Sequence, residues 1–196
     1  MLSIWFPRLA SEVSLRKRPL DGPFALTLRS GNADHLHCLN PTALTLGLQR
    51  GMALADARAL CPDLATRPAD LMGDRAALQH LRRWVGRYGP LAACDGADGL
   101  MVDITGVAHL FGGEGELRDD LMARLDRLGL TAACAIAETR GAAHALARFG
   151  QGQGGTDWIV PEGGLATRLA PLPIAALRVD HATADALSRL GLTRVG

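Results

Sequence analysis

The amino-acid sequence predicts an α+β protein, with a sheet layered by helices on one face and a segment inserted after the first strand. Two observations predict this class. Short apolar runs typical of strands occur among longer stretches in which apolar residues recur at helical spacing. The order is strand, insertion, helix, hairpin, helix, strand and helix, which favours helices packed on one sheet. The insertion, roughly residues 20–70, is long enough for a small subdomain.

The predicted strands are apolar runs bounded by turn residues. Ser30, Gly31 and Asn32 form the turn between two of them. The polar link at residues 95–99 lies between two others and predicts a β-hairpin. The predicted strands are residues 2–6, 24–28, 35–39, 91–94, 100–104, 131–137 and 156–160.

The predicted helices carry apolar residues at 3.6-residue spacing. Asp74 is taken as the N-cap of the first, which ends at Gly89 and Pro90. Gly129 ends a second helix, and Thr139 caps an Ala-rich third that runs to about Phe149. Small helices are predicted at residues 165–169 and 182–190.

Composition narrows the class of protein. A hydrophobic fraction of 48% is ample for a core and argues against disorder. No uncharged apolar stretch of about 18 residues occurs, which argues against a membrane helix. The first residues reach Pro7 and Arg8 without a basic start, so no signal peptide is expected and a cytoplasmic location is predicted. The four cysteines form no CxxC pair, which argues against zinc. A net charge of +1 is too small to indicate a polyanionic partner such as DNA.

Three segments resemble motifs of Y-family (translesion) DNA polymerases. Residues 46–62 (LGLQRGMALADARALCP) resemble the fingers motif, in which a Gly-x-x-x-Gly-Met turn precedes an Ala-rich helix. Residues 98–112 (DGLMVDITGVAHLFG) resemble the palm hairpin Ser-x-Asp-Glu-Ala-x-x-Asp-x-Thr. Residues 135–143 (AIAETRGAA) resemble the strand-to-helix turn Gly-Ile-Ser-x-Asn-Lys. The segments follow the family's order at nearly its spacing, and the likeness is greatest to a non-catalytic branch that acts in the SOS response to DNA damage.

The resemblance implies a polymerase-like domain organisation. A palm with a ferredoxin-like sheet is expected at residues 1–19 and 71–162, and the fingers at residues 20–70. The start of a thumb, a truncated helix-hairpin-helix, is expected at residues 163–196. The family's little finger would follow residue 196 and is absent from the sequence.

The metal-binding carboxylates of the family are mostly replaced. Polymerases hold two Mg²⁺ ions with hard oxygen ligands. By resemblance, Pro7 stands where the first strand carries an Asp, and Gly99 replaces the hairpin Glu. Asp98 matches the hairpin Asp and is the possible residual metal ligand, with a turn-forming role as the alternative. We therefore predict a degenerate site at Pro7, Asp98 and Gly99, with no catalytic residue and no cofactor.

The contacts to the nucleotide triphosphate are altered as well. Leu44 aligns with the phosphate-clamping Arg of the fingers, and Gln151 aligns with a palm Lys. Leu9 and Ala10 occupy the region of the family's aromatic pair, which includes its sugar-selecting gate. Joint loss of acids and cations is expected of a vanished nucleotide site, because each has value only when the other is present.

Two arginines are possible DNA or phosphate contacts. Arg140 lies at a predicted helix N-terminus, where backbone amides favour anions, and Arg50 lies in the fingers motif. A solvated arginine is the alternative reading of Arg140. The predicted thumb hairpin reads Val179-Asp180-His181 where the family has glycines, and an Asp beside a phosphate is unfavourable. We therefore predict that this part of the protein binds primer-template DNA weakly.

The hypothesis favoured by the sequence is a catalytically inactive scaffold or adaptor in error-prone translesion synthesis. The resemblance implies three protein partners: an error-prone replicative-type polymerase, a RecA-like mutasome protein and the sliding clamp. An active Mg²⁺-dependent nucleotidyltransferase is the alternative, with a site rebuilt from Asp95, Asp98 and Asp103. A small α+β binding module is the residual possibility.

Overall fold

The structure is a computed structural model that describes residues 1–150, 159–160 and 163–196. It divides into two compact units. The larger comprises residues 1–7, 78–128 and 132–196, and the smaller comprises residues 8–77 and 129–131. The bounds given above for palm, fingers and thumb stay a prediction. Gln151 and residues 156–158 of the last predicted strand lie outside the described residues.

The predicted α+β class is confirmed. The strands are β1 (Leu2–Trp5), β2 (Phe24–Ser30), β3 (Ala33–Leu39), β4 (Ala65–Pro68), β5 (Leu91–Cys94), β6 (Gly99–Asp103) and β7 (Ala133–Ile136). The α-helices are α1 (Leu9–Lys17), α2 (Pro41–Thr45), α3 (Leu54–Leu60), α4 (Leu71–Trp84), α5 (Glu114–Arg127), α6 (Arg140–Phe149), α7 (Leu165–Leu169) and α8 (His181–Arg189). Short 3₁₀ helices cover Val85–Tyr88, Ala108–Phe111 and Ile174–Leu177. In the parts of the chain described, no helix combines the length and apolar character that crossing a bilayer requires.

The larger unit contains a four-stranded sheet in the order β5-β6-β1-β7. The strand β1 pairs antiparallel with both β6 and β7. The predicted hairpin is confirmed, because β5 and β6 pair antiparallel around the polar turn. The predicted neighbourhood of the first strand and this hairpin in one sheet is confirmed too.

Both faces of β1, β6 and β7 in the larger sheet are largely buried, whereas the edge strand β5 is partly exposed. Trp5 and Met101 pack against a cluster that includes five residues of α6, and Leu172 and Ala176 belong to the same cluster. Neighbouring strand residues point to opposite faces. Leu100 and Val102 therefore face the other side, where they are also inaccessible to solvent. Helix α6, Leu172 and Ala176 thus pack against this face of the sheet.

The smaller unit contains a three-stranded sheet in the order β3-β2-β4. Strands β2 and β3 pair antiparallel around the predicted turn, and β4 pairs parallel to β2. The side chain of Asn40 caps α2 by accepting a hydrogen bond from the Ala43 amide at 2.9 Å. The core of this unit consists of Ala25, Leu36, Leu39, Ala43, Leu48, Ala57, Cys61 and Leu64.

The predicted N-cap of α4 is wrong. Asp74 lies inside the helix, and Asp70 is the capping residue, since its Oδ1 accepts a hydrogen bond from the Gly73 amide at 2.9 Å. An N-cap accepts from the second or third helical amide. Two acidic residues lie at suitable places, and the one farther upstream caps because the helix begins at Leu71. The predicted cap of α6 is confirmed: Thr139 Oγ1 accepts from the Ala142 amide at 3.2 Å.

Candidate functional site

The end of β1 meets the turn of the β5–β6 hairpin. Trp5 pairs with Gly99 in the β1–β6 register. The Phe6 amide then donates to the Asp98 carbonyl at 2.8 Å. Pro7 follows directly, so the chain leaves the sheet beside the turn that carries Asp98. The residues predicted to form a degenerate site, Pro7, Asp98 and Gly99, therefore lie at one end of one sheet.

Both oxygens of the Asp98 carboxylate have partners in the protein. Arg148 Nη2 of α6 donates to Oδ1 at 2.7 Å, and Trp5 Nε1 donates to Oδ2 at 3.1 Å. The Arg148 guanidinium also lies over the Trp5 ring, 5.6 Å from its centroid. The Asp98 and Arg148 side chains are only 25% and 18% exposed. The negative charge of Asp98 is thus neutralised by a largely shielded arginine.

No side chain fits at position 99. A Cβ added to Gly99 would lie 2.7 Å from the Asp95 carbonyl oxygen and 2.9 Å from Arg148 Nη2. The first neighbour is backbone and cannot easily yield, whereas the second is the end of a flexible side chain. The absence of a carboxylate at position 99 is therefore matched by the packing around it.

Asp95 belongs to a second ion-pair cluster. Its Oδ2 lies 2.7 Å from His144 Nδ1, and its Oδ1 accepts from Arg178 Nη2 at 2.6 Å. Burial raises the pKa of the Asp95 carboxyl, but the hydrogen bonds from His144 and Arg178 outweigh burial and hold the pKa below its ordinary value. Burial lowers the pKa of His144, although the bond to Asp95 opposes this. These pKa shifts favour an ionised Asp95 and a neutral His144, in which the Nδ1–H group of His144 donates a hydrogen bond to Asp95 Oδ2.

Asp95, Asp98 and Asp103 do not converge. Asp103 lies five residues beyond Asp98 along extended β6, a span of about 16 Å at the usual rise per residue. Its Oδ1 accepts from the Thr105 amide at 3.0 Å. Hydrogen bonds from the Thr105 side chain and backbone hold the pKa of Asp103 below its ordinary value. Among the residues that the structure describes, no group of three or more His, Cys, Asp or Glu side chains is arranged to hold a metal ion.

Arg140 lies beside a cleft of about 390 Å³ in the larger unit. It is the first residue of α6, as predicted, and Arg178 lines the same cleft. Asp95, Asp103 and Met1 also line it, so that two arginines and the α-amino group of Met1 stand against two carboxylates. The carboxylates offset most of the positive charge, and the cleft therefore lacks the strongly positive character that a phosphate site favours.

Arg50 lies beside a cleft of about 340 Å³ in the smaller unit, together with Ser30, His35 and His37. The two histidines come from β3, whose pairing to β2 brings them to the same cleft as Arg50. Among the described residues no carboxylate pairs with Arg50. The sequence indicated Arg50 alone, because the histidines have no spacing that identifies a site.

The remaining predicted positions have ordinary surroundings. Leu44 is exposed on α2, and Leu9 is buried in α1. Arg8 is occupied within the smaller unit, where its Nη2 donates to Thr131 Oγ1 at 2.6 Å and its Nε lies 3.6 Å from Glu12 Oε1.

The predicted thumb hairpin leads into α8. Asp180 caps α8, since its two oxygens accept from the Thr183 amide at 2.9 Å and the Thr183 hydroxyl at 2.7 Å. The side chain is thus committed to the helix start, as an N-cap Asp is. Arg178, which the sequence did not single out, is the residue that links this hairpin to Asp95. It adopts a left-handed backbone with φ 60°, a conformation rare for non-glycine residues.

The fold is similar to those of solved DNA polymerases. It superposes on Dbh DNA polymerase in an insertion ternary complex with a TM-score of 0.80 and 17% identity, covering 98% of this chain and 58% of that one. It superposes on DinB from Sulfolobus solfataricus with a TM-score of 0.74 and 18% identity, covering 99% of this chain and 58% of that one. The fold is therefore that of a Y-family polymerase palm with its neighbouring elements.

Sequence comparison identifies the family within this class. The impB/mucB/samB family matches residues 4–148. Protein ImuB of Caulobacter vibrioides strain NA1000 / CB15N is 50% identical over 151 residues, which cover 77% of this chain and 32% of that protein. Protein ImuB of strain ATCC 19089 / CIP 103742 / CB 15 gives the same values. The chain belongs to the impB/mucB/samB family and is a translesion-polymerase-like protein that spans 32% of the length of these relatives.

Proposed function

We propose that the chain is the polymerase-like part of a non-catalytic adaptor in error-prone translesion synthesis and SOS DNA repair. The observation that carries this proposal is the shortage of free carboxylates at the end of the palm sheet. Pro7 and Gly99 offer no oxygen ligand from a side chain, and the one matching carboxylate, Asp98, is held by Arg148 at 2.7 Å.

The Mg²⁺ ions that the polymerase resemblance implies do not fit these residues. A site of this kind needs several hard oxygen ligands around each ion. Only Asp98 lies at the expected place, and a cation bound there would meet the Arg148 guanidinium. We therefore derive no phosphoryl-transfer step for this chain.

No specific observation favours the alternative, an active nucleotidyltransferase. It requires Asp95, Asp98 and Asp103 to share metal ions. Asp95 is instead bound to His144 and Arg178. Asp103 lies about 16 Å from Asp98 along the strand. A shared metal site would require Asp95 to give up His144 and Arg178, and Asp98 to give up Arg148.

The role proposed for the whole protein includes its partners. By resemblance to the ImuB branch of the family, these are an error-prone replicative-type polymerase, a RecA-like protein of the mutasome and the sliding clamp, in the cytoplasm. Primer-template DNA is a weak partner of this part of the protein, because the clefts beside Arg140 and Arg50 offer few cations. The likeness to the two ImuB proteins supports this proposal.

A primer-extension assay tests the absence of catalysis. The chain is incubated with primer-template DNA, all four nucleotides and either Mg²⁺ or Mn²⁺, beside an active Y-family polymerase as positive control. We expect no extension above a no-protein control. Extension that disappears in an Asp98→Asn variant would show that the chain is an enzyme and would refute the proposal.

A further inference from the structure

Two arginines form ion pairs with the carboxylates at the end of the palm sheet. Arg148 binds Asp98 at 2.7 Å, and Arg178 binds Asp95 at 2.6 Å. The two pairs adjoin, since Arg148 Nη2 also lies 3.4 Å from the Asp95 carbonyl oxygen. We propose that these guanidinium groups are permanent internal counter-ions that stand in for metal ions and exclude divalent cations. This inference rests on the proposed non-catalytic function and deepens it.

Arg148 is held in a fixed place. It projects from α6, whose Ala143 and Leu146 are buried in the cluster against the sheet. Its guanidinium has three anchors: the Asp98 carboxylate, the Asp95 carbonyl and the Trp5 ring. Because the helix is fixed, the positive charge stays beside Asp98 without an ordering step. A divalent ion would have to displace it or bind against its repulsion.

The arginine and an acidic residue at position 99 exclude each other. The place of a Cβ at Gly99 lies 2.9 Å from Arg148 Nη2, so the guanidinium already fills the space into which a longer side chain would grow. Replacing Gly99 by Glu would therefore crowd Arg148 and the Asp95 carbonyl. Restoring carboxylates at positions 7 and 99 would not recreate a metal site while Arg148 remains.

Arg178 acts on the other carboxylate. It holds a left-handed backbone with φ 60°, which a non-glycine residue adopts only when its surroundings compensate. The compensation is the 2.6 Å bond to Asp95, which is 9% exposed and would otherwise be a buried charge with one fewer partner. Asp95 is thus a structural anion that fixes the hairpin before α8, and it is not free to bind a cation.

The probe for this inference is Mn²⁺, whose free concentration is followed by electron paramagnetic resonance during titration of the intact chain at pH near 7. Arg148→Met keeps the apolar stem but removes the charge, and Arg148→Lys keeps a charge. Arg124→Met is the matched control, because Arg124 forms a half-buried ion pair with Asp120 at 2.8 Å on α5, away from the hairpin turn. Circular dichroism establishes that each variant is folded.

We expect no saturable Mn²⁺ binding to the wild-type chain, to Arg148→Lys or to Arg124→Met. We expect Arg148→Met to bind Mn²⁺ weakly through the lone Asp98 carboxylate, yet with an affinity at least about tenfold above the detection limit that these three proteins do not reach. We expect an added Asp98→Asn change to abolish this binding. Equal binding by folded Arg148→Met and Arg124→Met would overturn the inference.

The wild-type chain supplies a test that does not depend on whether Arg148→Met folds. Saturable Mn²⁺ binding by the wild type that Asp98→Asn removes would also overturn the inference. These results differ from failure of the proposed function, which is primer extension by the wild type. Binding without extension would refute only the counter-ion role, and extension would refute the non-catalytic role whatever the Mn²⁺ titration shows.

Discussion

Replacing Gly99 by Ala tests the packing at the end of the palm sheet. Gly99 begins β6, and an added Cβ would lie 2.7 Å from the Asp95 carbonyl oxygen and 2.9 Å from Arg148 Nη2. Arg148 can shift, but the carbonyl belongs to a turn held by the 2.8 Å bond from the Asp95 amide to the Gly99 carbonyl. Overpacking of this kind costs about 1–3 kcal/mol. For a chain of this size, each kcal/mol lowers Tm by about 2–4 °C.

The assay is thermal and urea unfolding followed by circular dichroism. Gly141→Ala is the matched control: Gly141 lies in α6 of the same unit, and an added Cβ would meet no atom within 4 Å. Because Ala is favoured over Gly in a helix by up to about 1 kcal/mol, this control should leave stability unchanged or raise it. The reasoning is refuted if Gly99→Ala is as stable as the wild type while Gly141→Ala behaves as expected.

A double-mutant cycle separates the two close approaches. In an Arg148→Met background the guanidinium is gone, so that only the contact with the Asp95 carbonyl remains. If the backbone contact dominates, Gly99→Ala should cost nearly the same in both backgrounds. A cost that vanishes with Arg148→Met would instead assign the clash to the arginine.

Three further predictions concern the core, the pH response and DNA. Leu121→Ala should lower the free energy of unfolding by about 2–5 kcal/mol, because Leu121 is inaccessible in α5. Leu128→Ala, at a site 41% exposed, should change it by at most about 0.5 kcal/mol in the same urea titration. Because the pKa of His144 is lowered in the folded chain, the unfolded chain binds a proton at this residue at a higher pH than the folded chain does. The free energy of unfolding should therefore fall as pH drops below the ordinary His pKa of 6.5, and this fall should be smaller in His144→Gln. The lowered pKa of Asp95 adds stability that is present above the ordinary pKa of 3.8 and is lost as pH falls through the folded pKa. Asp95→Asn should reduce this loss of stability in acid without abolishing it, because other aspartates with lowered pKa values contribute to it as well. Fluorescence anisotropy should show weak DNA binding, a shallow dependence of log affinity on log salt concentration, and no preference for primer-template DNA over single strands. Submicromolar, structure-selective binding at about 150 mM salt would contradict this prediction.

Local patterns made most of the secondary structure predictable. The β5–β6 hairpin, the turn between β2 and β3 and the Thr139 cap depend on residues close in sequence, whose spacing or turn chemistry can be read directly. The N-cap of α4 was missed for a related reason. Asp70 and Asp74 both suit a cap, and the choice depends on where the helix begins, which local spacing does not settle.

The substitutions at Pro7 and Gly99 were visible in the sequence by themselves, because no tertiary arrangement can supply either residue with a carboxylate. The ion-pair partners of Asp95 and Asp98 were not visible in the sequence. Arg148 is 50 residues from Asp98, and Arg178 is 83 residues from Asp95. No periodicity connects such positions. Their pairing is decided only when α6 packs on the sheet and the hairpin before α8 closes over Asp95, because an ion pair depends on distance in space and not along the chain.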